Sequence, residues 1–433
     1  MIFTNQKFIE NIDHLIKMNR YIIYIFTVFI LACENEETYE IGDTYIKFFQ
    51  TEGMEQGVDF LIDDNGILLL GNTDNATLNS SMLLIYTDLE GNEIWQQNLE
   101  AGDNEGKEIT DNAVGIAKLN NGELVILGNR QEDGVNKGLL IKVNLSNPES
   151  FTYKEVTPTT VTVNQVHFND IEATSDDGFI IIGEVRNFEN VDTSIPNSDW
   201  NMISIKYDVG MNLSLERVNG FLNNSDDFGN SIVEGPNQNY YLFGSVTVEK
   251  VINGNSEFIS DVRTVRVNSF LDPVWDKKPE SNFNDYGKKI LNYANTRFVL
   301  GEQHKSETNS NILVTELDDN GNPGSIYFFG SEKEETAGDM YVTPEGIFIT
   351  GASNFGNNTF DIYIMKITPN GELLWEKRFG FEGDDYGEKI YVQSNGDILV
   401  VGSAIFGNLS KICLIKTDKD GNLSKLVDNS EKE

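Results

Sequence analysis

Six carboxylates stand at matching places along the chain: Glu55, Asp111, Asp227, Asp285, Glu335 and Asp385, each followed next but one by a glycine or alanine (Gly57, Ala113, Gly229, Gly287, Ala337, Gly387). His167, with Asn169 after it, holds the same place in one further stretch. Acids in such register suggest metal binding or acid–base catalysis, since oxygen ligands suit hard cations and paired carboxylates cleave glycosidic bonds. A catalytic or metal site is usually single, however, and a feature that recurs answers to the repeat. A carboxylate just before a strand can accept a backbone N–H in the preceding turn, and that is the role expected of these six. The adjacent acids Asp63-Asp64 and Asp176-Asp177 sit beside Gly66 and Gly178, where turn chemistry accounts for them. His167 and His304 have no metal-ligand spacing to one another. The chain contains no HExxH, GxSxG, CxxC or Walker-type glycine loop. No catalytic, cofactor-binding or metal-ligating residue is assigned on this basis. Carboxylates from separate repeats could still converge in the fold.

The chain has only two cysteines. Cys413, in the apolar "KICLIKTD", reads as a small buried hydrophobe. Cys33 ends the apolar run 21–32, which is shorter than the ~20 residues of a comfortable membrane span. Met18-Asn19-Arg20 before it is a candidate true start, and a basic start, short apolar stretch and small residue together form a secretory signal. Ile30-Leu31-Ala32-Cys33 resembles the lipobox of bacterial lipoproteins. The resemblance implies that Cys33 carries a diacylglycerol on its sulfur and becomes the N-terminus after cleavage. Acyl chains worth about 0.8 kcal/mol per buried CH₂ anchor a protein without a span. Glu34-Asn35-Glu36-Glu37 resembles the acidic export signal of Bacteroidetes surface lipoproteins. The expected organisation is a signal region over 1–32, an acidic tether over 33–43 and one domain over 44–433. The expected place is the bacterial envelope, on the outer membrane, with lipid as the sole membrane attachment.

Acidic residues outnumber basic ones by 69 to 32, a net charge of −37. Such a charge repels nucleic acid and anionic lipid and favours basic partners. Apolar residues, at 39%, suffice for a large core.

Stepping along the chain, one phrase returns: two short apolar runs around a tight turn, as in "VQSNGDILVVGS", then a third run ending in a basic or polar residue. Asn-Gly between apolar runs is a strong hairpin signal. The glycine closing the second run recurs at Gly71, Gly128, Gly183, Gly244, Gly301, Gly351 and Gly402, at spacings of 50 to 61 residues. The third run is marked by Tyr86, Lys142, Lys206, Arg266, Glu316, Lys366 and Lys416, and a fourth carries Trp95, Trp275 and Trp375 in three units. Units three and four hold extra residues, over 184–199 and 245–260, expected as loops. Units of ~50 residues with four strands are the pattern of a propeller, in which sheets bury one another around an axis.

These phrases resemble the β-propeller repeats of secreted Bacteroidetes proteins, through the hairpin Asp176-Asp177-Gly178 and the link Lys416-Thr417-Asp418 with Gly421-Asn422. Units four and five depart from them: "GPNQNYYLFG" and "YANTRFVLG" lack the turn glycine. The fold expected is all-β: a seven-bladed β-propeller of four-stranded antiparallel blades. Residues 44–50 align with a fourth strand and are expected to complete the last blade, with 422–427 as the competitor. The tryptophan phrase is similar to that of quinone-dependent dehydrogenase propellers, but with three of seven units carrying it, packing is its role and no cofactor is expected.

The expected function is a monomeric binding or scaffold module for protein or glycan. The alternative is a glycan-active hydrolase or lyase with its site over the central channel. A broad loop-built face would favour the first, and carboxylates converging with aromatics in one pocket the second. The face expected to bind gathers the sheet-to-sheet loops and second-to-third strand loops, with Asp103, Glu105, Asp226, Asp285, Asp384 and Asp385. A basic partner there would bind less tightly as salt rises.

Overall fold

The computed structural model describes residues 44–424, apart from 52, 75–79, 102–108, 160–162, 188–199, 221–224, 253 and 355–358. The signal region, Cys33 and the tether lie outside the described residues, as do Asp103, Glu105 and most of 184–199. Among the described residues, seven four-stranded antiparallel sheets follow one another along the chain. Blades 1 to 6 span 54–99, 109–156, 163–218, 226–277, 284–329 and 335–379, and blade 7 combines 386–417 with Tyr45–Phe49. The chain is a seven-bladed β-propeller.

Tyr45–Phe49 pairs with Leu409–Thr417, setting Tyr45 opposite Lys416 and Phe49 opposite Ile412. The N-terminal strand thus closes the ring, while residues 422–424 form no strand.

The second and third strands explain why each unit needs two neighbours. Leu68–Leu70 and Leu83–Ile85 are buried on both faces. Leu69 and Leu83 pack with Leu399 and Val401 of blade 7, whereas Leu70 and Leu84 pack with Ile126 and Leu139 of blade 2. The period of two along a strand sends alternate side chains into two different cores. Fourth strands are outer edges, and Ile94, Tyr153 and Leu374 on them are exposed.

Close approach within and between blades explains the recurring glycines: a Cβ on Gly244, Gly351 or Gly402 would collide with the carbonyl oxygen of Phe228, Thr336 or Tyr386 in the first strand of its own blade. A Cβ on Gly57 would collide with the carbonyl oxygen of Gly402 in the preceding blade. In five of the seven blades the residue after the second-run glycine then ties the blades together. Asn72 accepts the N–H of Ala113 (2.7 Å), Asn129 that of Phe168 (2.9 Å), Ser245 that of Gly287 (3.0 Å), Glu302 that of Ala337 (2.8 Å) and Ser403 that of Gly57 (3.2 Å).

Two local expectations are corrected. The stretch 245–260 is a long hairpin rather than a loop, built from Tyr240–Ile252 and Asn255–Val267. In blade 3 the small-residue place opposite Gly183 belongs to Phe168, which moves the place of the acid to Val166 rather than His167. The turns of units four and five form without glycine because Asn237, Gln238 and Ala294 take positive φ values of 60°, 55° and 52°.

Candidate functional site

Every inner strand carries a β-bulge at the same place, falling on Val58, Val114, Asn169, Asn230, Lys288, Gly338 and Glu388. A bulge kinks a strand and re-aims the side chains beyond it. The residues just after it are Asp59, Gly115, Asp170, Ser231, Lys289, Asp339 and Lys389. Two residues further, on the same side of the strand, come Leu61, Ala117, Glu172, Val233, Leu291, Tyr341 and Tyr391. The first layer is a charged floor and the second a largely apolar wall. All of these except Gly115, Ser231 and Val233, together with Tyr293, line a well of about 650 Å³.

Interlocking bonds hold the floor. Asp59 accepts the N–H groups of Phe60 (2.8 Å) and of Ile116 in blade 2 (3.1 Å). Asp170 accepts those of Ile171 (3.1 Å) and of Ile232 in blade 4 (3.0 Å), and the hydroxyl of Ser231 (2.7 Å). Asp339 accepts that of Ile390 in blade 7 (3.3 Å). The three aspartates are therefore clamps between blades as well as lining. Lys289 reaches across blade 4 to Asp170 at 3.0 Å. Lys389 hangs between Asp339 and Asp59 at 3.7 Å from each, with its side chain 30% exposed. Those contacts exceed hydrogen-bond length, so the ammonium has donors to offer a guest.

The field in the well separates the acids. Burial raises Glu172 to about 7, repulsion from Asp170 adds to the rise and Lys289 opposes it. At Asp170 burial acts the same way, but Lys289, Lys389, Ser231 and the Ile232 N–H overrule it and hold the carboxyl below its ordinary range. Burial raises Asp59 despite Lys389. At Lys389 burial is outweighed by Asp339, Asp59 and Asp170, which keep it firmly charged. Between the adjacent blades 6 and 7, the rings of Tyr341 and Tyr391 meet edge to face at 4.9 Å.

The well lies at the C-terminal ends of the inner strands, toward the first-to-second hairpin turns. That is the opposite end from the loop face expected to bind. Sequence reading missed the floor because its residues do not share a type, although each stands four residues after its acid place; only the bulge, three residues after each acid place, turns them into one ring.

The recurrent acids do sit in turns and junctions. Glu55, Glu335 and Asp385 accept the backbone N–H four residues earlier, from Thr51 (3.0 Å), Ser331 (3.1 Å) and Phe381 (2.7 Å). Asp111 and Asp227 instead pair with Arg130 (2.6 Å) and Arg263 (2.7 Å), and Asp285 accepts the Gln303 amide (3.0 Å). His167 lies 3.3 Å from Glu184 and His304 2.9 Å from Glu302. Trp95, Trp275 and Trp375 pack on Tyr86, Tyr241 and Phe348 at centroid distances of 5.6, 5.9 and 6.1 Å. Cys413 is buried, which pushes its thiol up and leaves it inert. Among the described residues no group of His, Cys, Asp and Glu is arranged to hold a metal ion.

No family model matches the chain, and no curated protein does. Solved structures similar to it include a protein of unknown function from Dyadobacter fermentans, at 11% identity over 70% of this chain and 94% of that one, with a TM-score of 0.45. Others are the polysaccharide lyase Uly1, at 10% identity, 87% and 99% coverage and a TM-score of 0.47, and an α-L-arabinanase from Penicillium chrysogenum, at 12%, 72% and 94%, and 0.44. Likeness at this level concerns the fold alone.

Proposed function

We propose that this protein is a lipid-anchored binding module of a bacterial envelope, held through Cys33 on the outer membrane, and that its ligand is a glycan seated in the central well. One observation carries the reading: a charged, partly solvated floor and a tyrosine-bearing wall converge on a single cavity of about 650 Å³. That size and mixture of apolar lining with a few convergent polar groups suit a small ligand. Sugar hydroxyls would donate to the floor carboxylates and accept from Lys389. The faces of Tyr341 and Tyr391 would cover the apolar side of a sugar ring.

The test is a glycan array followed by calorimetry. A restricted set of glycans should bind, and Tyr391→Ala should weaken binding at least tenfold while melting within a few degrees of the parent, because Tyr391 is 37% exposed. Absence of any bound glycan, or a variant that binds equally well, would defeat the reading.

A second reading, glycan hydrolysis, rests on the separated acids. Environments that push two carboxyls apart mark acid and base, and here Glu172 would be the acid and Asp170 the carboxylate. Reducing-end release abolished by Glu172→Gln, with binding retained, would favour it over binding alone.

A further inference from the structure

The propeller repeats one junction seven times, so each blade serves as a comparison for the others. In blade 2, Asp111 stands opposite Arg130 across the first two strands. The Arg130 guanidinium donates to Asp111 through Nε (2.7 Å) and Nη2 (2.6 Å), to Glu155 through Nη1 (3.3 Å), and to the carbonyl of Ala101. In blade 4 the same space is filled from the third strand. Arg263 donates to Asp227 (2.7 Å), to Asp276 (2.7 Å) and to the carbonyl of Asn219 (2.9 Å). The ring thus twice buries a guanidinium beside the acid that opens a blade.

Blade 6 has the acid without the arginine. Glu335 stands opposite Ser353, at the place of Arg130. Glu335 Oε1 is held by the N–H (3.1 Å) and hydroxyl (2.7 Å) of Ser331. Among the described residues, neither Glu335 Oε2 nor Ser353 Oγ has a hydrogen-bond partner. Both side chains are deeply buried, Glu335 at 5% exposure and Ser353 at 2%. They line a recess of about 250 Å³ between blades 5 and 6, walled by Phe328, Phe329 and Met365. A buried acceptor without a partner has lost its water bonds uncompensated, the more so if charged, so a donor entering here restores them.

We propose that this recess binds a guanidinium group on an alkyl stem, entering from outside where Arg130 and Arg263 are built in elsewhere. A planar fork can donate to Glu335 Oε2 and Ser353 Oγ together, and it loses less hydration than an ammonium on leaving water. The apolar walls suit the stem. The volume falls below the ~300–1,000 Å³ of pockets for drug-sized ligands, which fits a single side chain. One cation stands at the rim: Arg378, in the place of Glu155, is held by Glu376 at 2.8 Å. With Glu335 ionised, these three groups keep one negative charge. The recess belongs to the sheet-to-sheet turn Gly330–Ser331, at the end of the blades opposite the first-to-second hairpin turns, so it is separate from the central well. The chemistry is shared by free arginine derivatives and by an arginine on a partner's surface.

The experiment is calorimetry on the purified protein with Nα-acetyl-arginine amide, Nα-acetyl-lysine amide and a short peptide with a central arginine. The arginine compound should bind at least fivefold tighter than the lysine compound and weaken as salt rises. A peptide that binds more tightly than the amide points to a protein partner, and equal affinities point to a small molecule; either supports the site. Glu335→Gln should reduce affinity at least tenfold. The double variant Ser353→Arg with Arg378→Glu rebuilds the blade 2 arrangement, and should raise the melting temperature and abolish binding. Should Glu335→Gln fail to fold, the double variant decides. Tyr391→Ala should change nothing here, which separates this site from the well. No arginine binding at millimolar ligand, no preference over lysine, or undiminished binding in the double variant would overturn the proposal.

Discussion

Glu172 and Asp385 hold their protons more tightly in the fold than in the open chain. Burial and neighbouring acids raise Glu172 to about 7 and Asp385 to about 6, although Asp385 also accepts the N–H groups of Ile405 and Phe381. A raised carboxyl contributes stability that is whole below its unfolded pKa and is lost as pH rises through the folded one. Asp170, held low, acts in the opposite sense and loses its contribution only in acid. The urea midpoint should therefore fall between pH 5 and pH 8, and Glu172→Gln should flatten the upper part of that fall. A parent midpoint that rises steadily over this range would contradict the assignment. Arg130 allows a sharper test at the same scale. It and Asp111 are nearly inaccessible, with side-chain exposures of 4% and 6%. Arg130→Ala leaves a buried carboxylate unpaired and should cost roughly 3–5 kcal/mol in chemical denaturation.

Between elements, the turn that leaves the third strand shows how one blade grips its neighbour. Asp418 accepts the N–H groups of Asp420 (2.9 Å) and Asn422 (2.8 Å), and Gly421 takes φ +74°. A Cβ on Gly421 would come 2.8 Å from Trp375 of the preceding blade. The same fit recurs with Gly321 against Trp275 and with Gly91 against Tyr45 of the closing strand. The aspartate, glycine and asparagine of the link are thus one device: a turn shaped so that a neighbouring ring can slide under it. Gly421→Ala meets both strain and collision, and should destabilise by about 1–3 kcal/mol. Calorimetric melting checks this, and an unchanged melting temperature would show that the turn yields freely. The bulges follow the same logic on the inner strands, where one extra residue per strand turns the floor side chains toward the axis.

For the whole molecule, closure is the sensitive point. The strand Tyr45–Phe49 completes blade 7 and brings Tyr45 beneath blade 1, where its hydroxyl donates to the carbonyl of Leu89 (3.2 Å). Removing residues 44–50 exposes the edge of blade 7 and frees that junction. Scanning calorimetry should then show a lower, broader transition, whereas a sharp melt near the parent's temperature would show that closure contributes little.

Blade number and strand order could be read from residues alone, and the closing strand narrowed to 44–50 or 422–427, because hairpin turns, apolar runs and recurring glycines are local requirements repeated in each unit. The turn role of Asp63 was legible for the same reason: its carboxylate takes the N–H groups of Asn65 and Gly66, two and three residues on. The well was not legible. Asp59, Asp170, Lys289, Asp339 and Lys389 come from five blades and meet only because each strand is kinked and the ring is closed. Whether Glu335 finds an arginine or a recess likewise depends on what the register sets opposite it, and blade 3 shows how a one-residue shift moves such a place from His167 to Val166. Local patterns fix the units and their order; convergence across the axis and between blades is a property of the assembled ring.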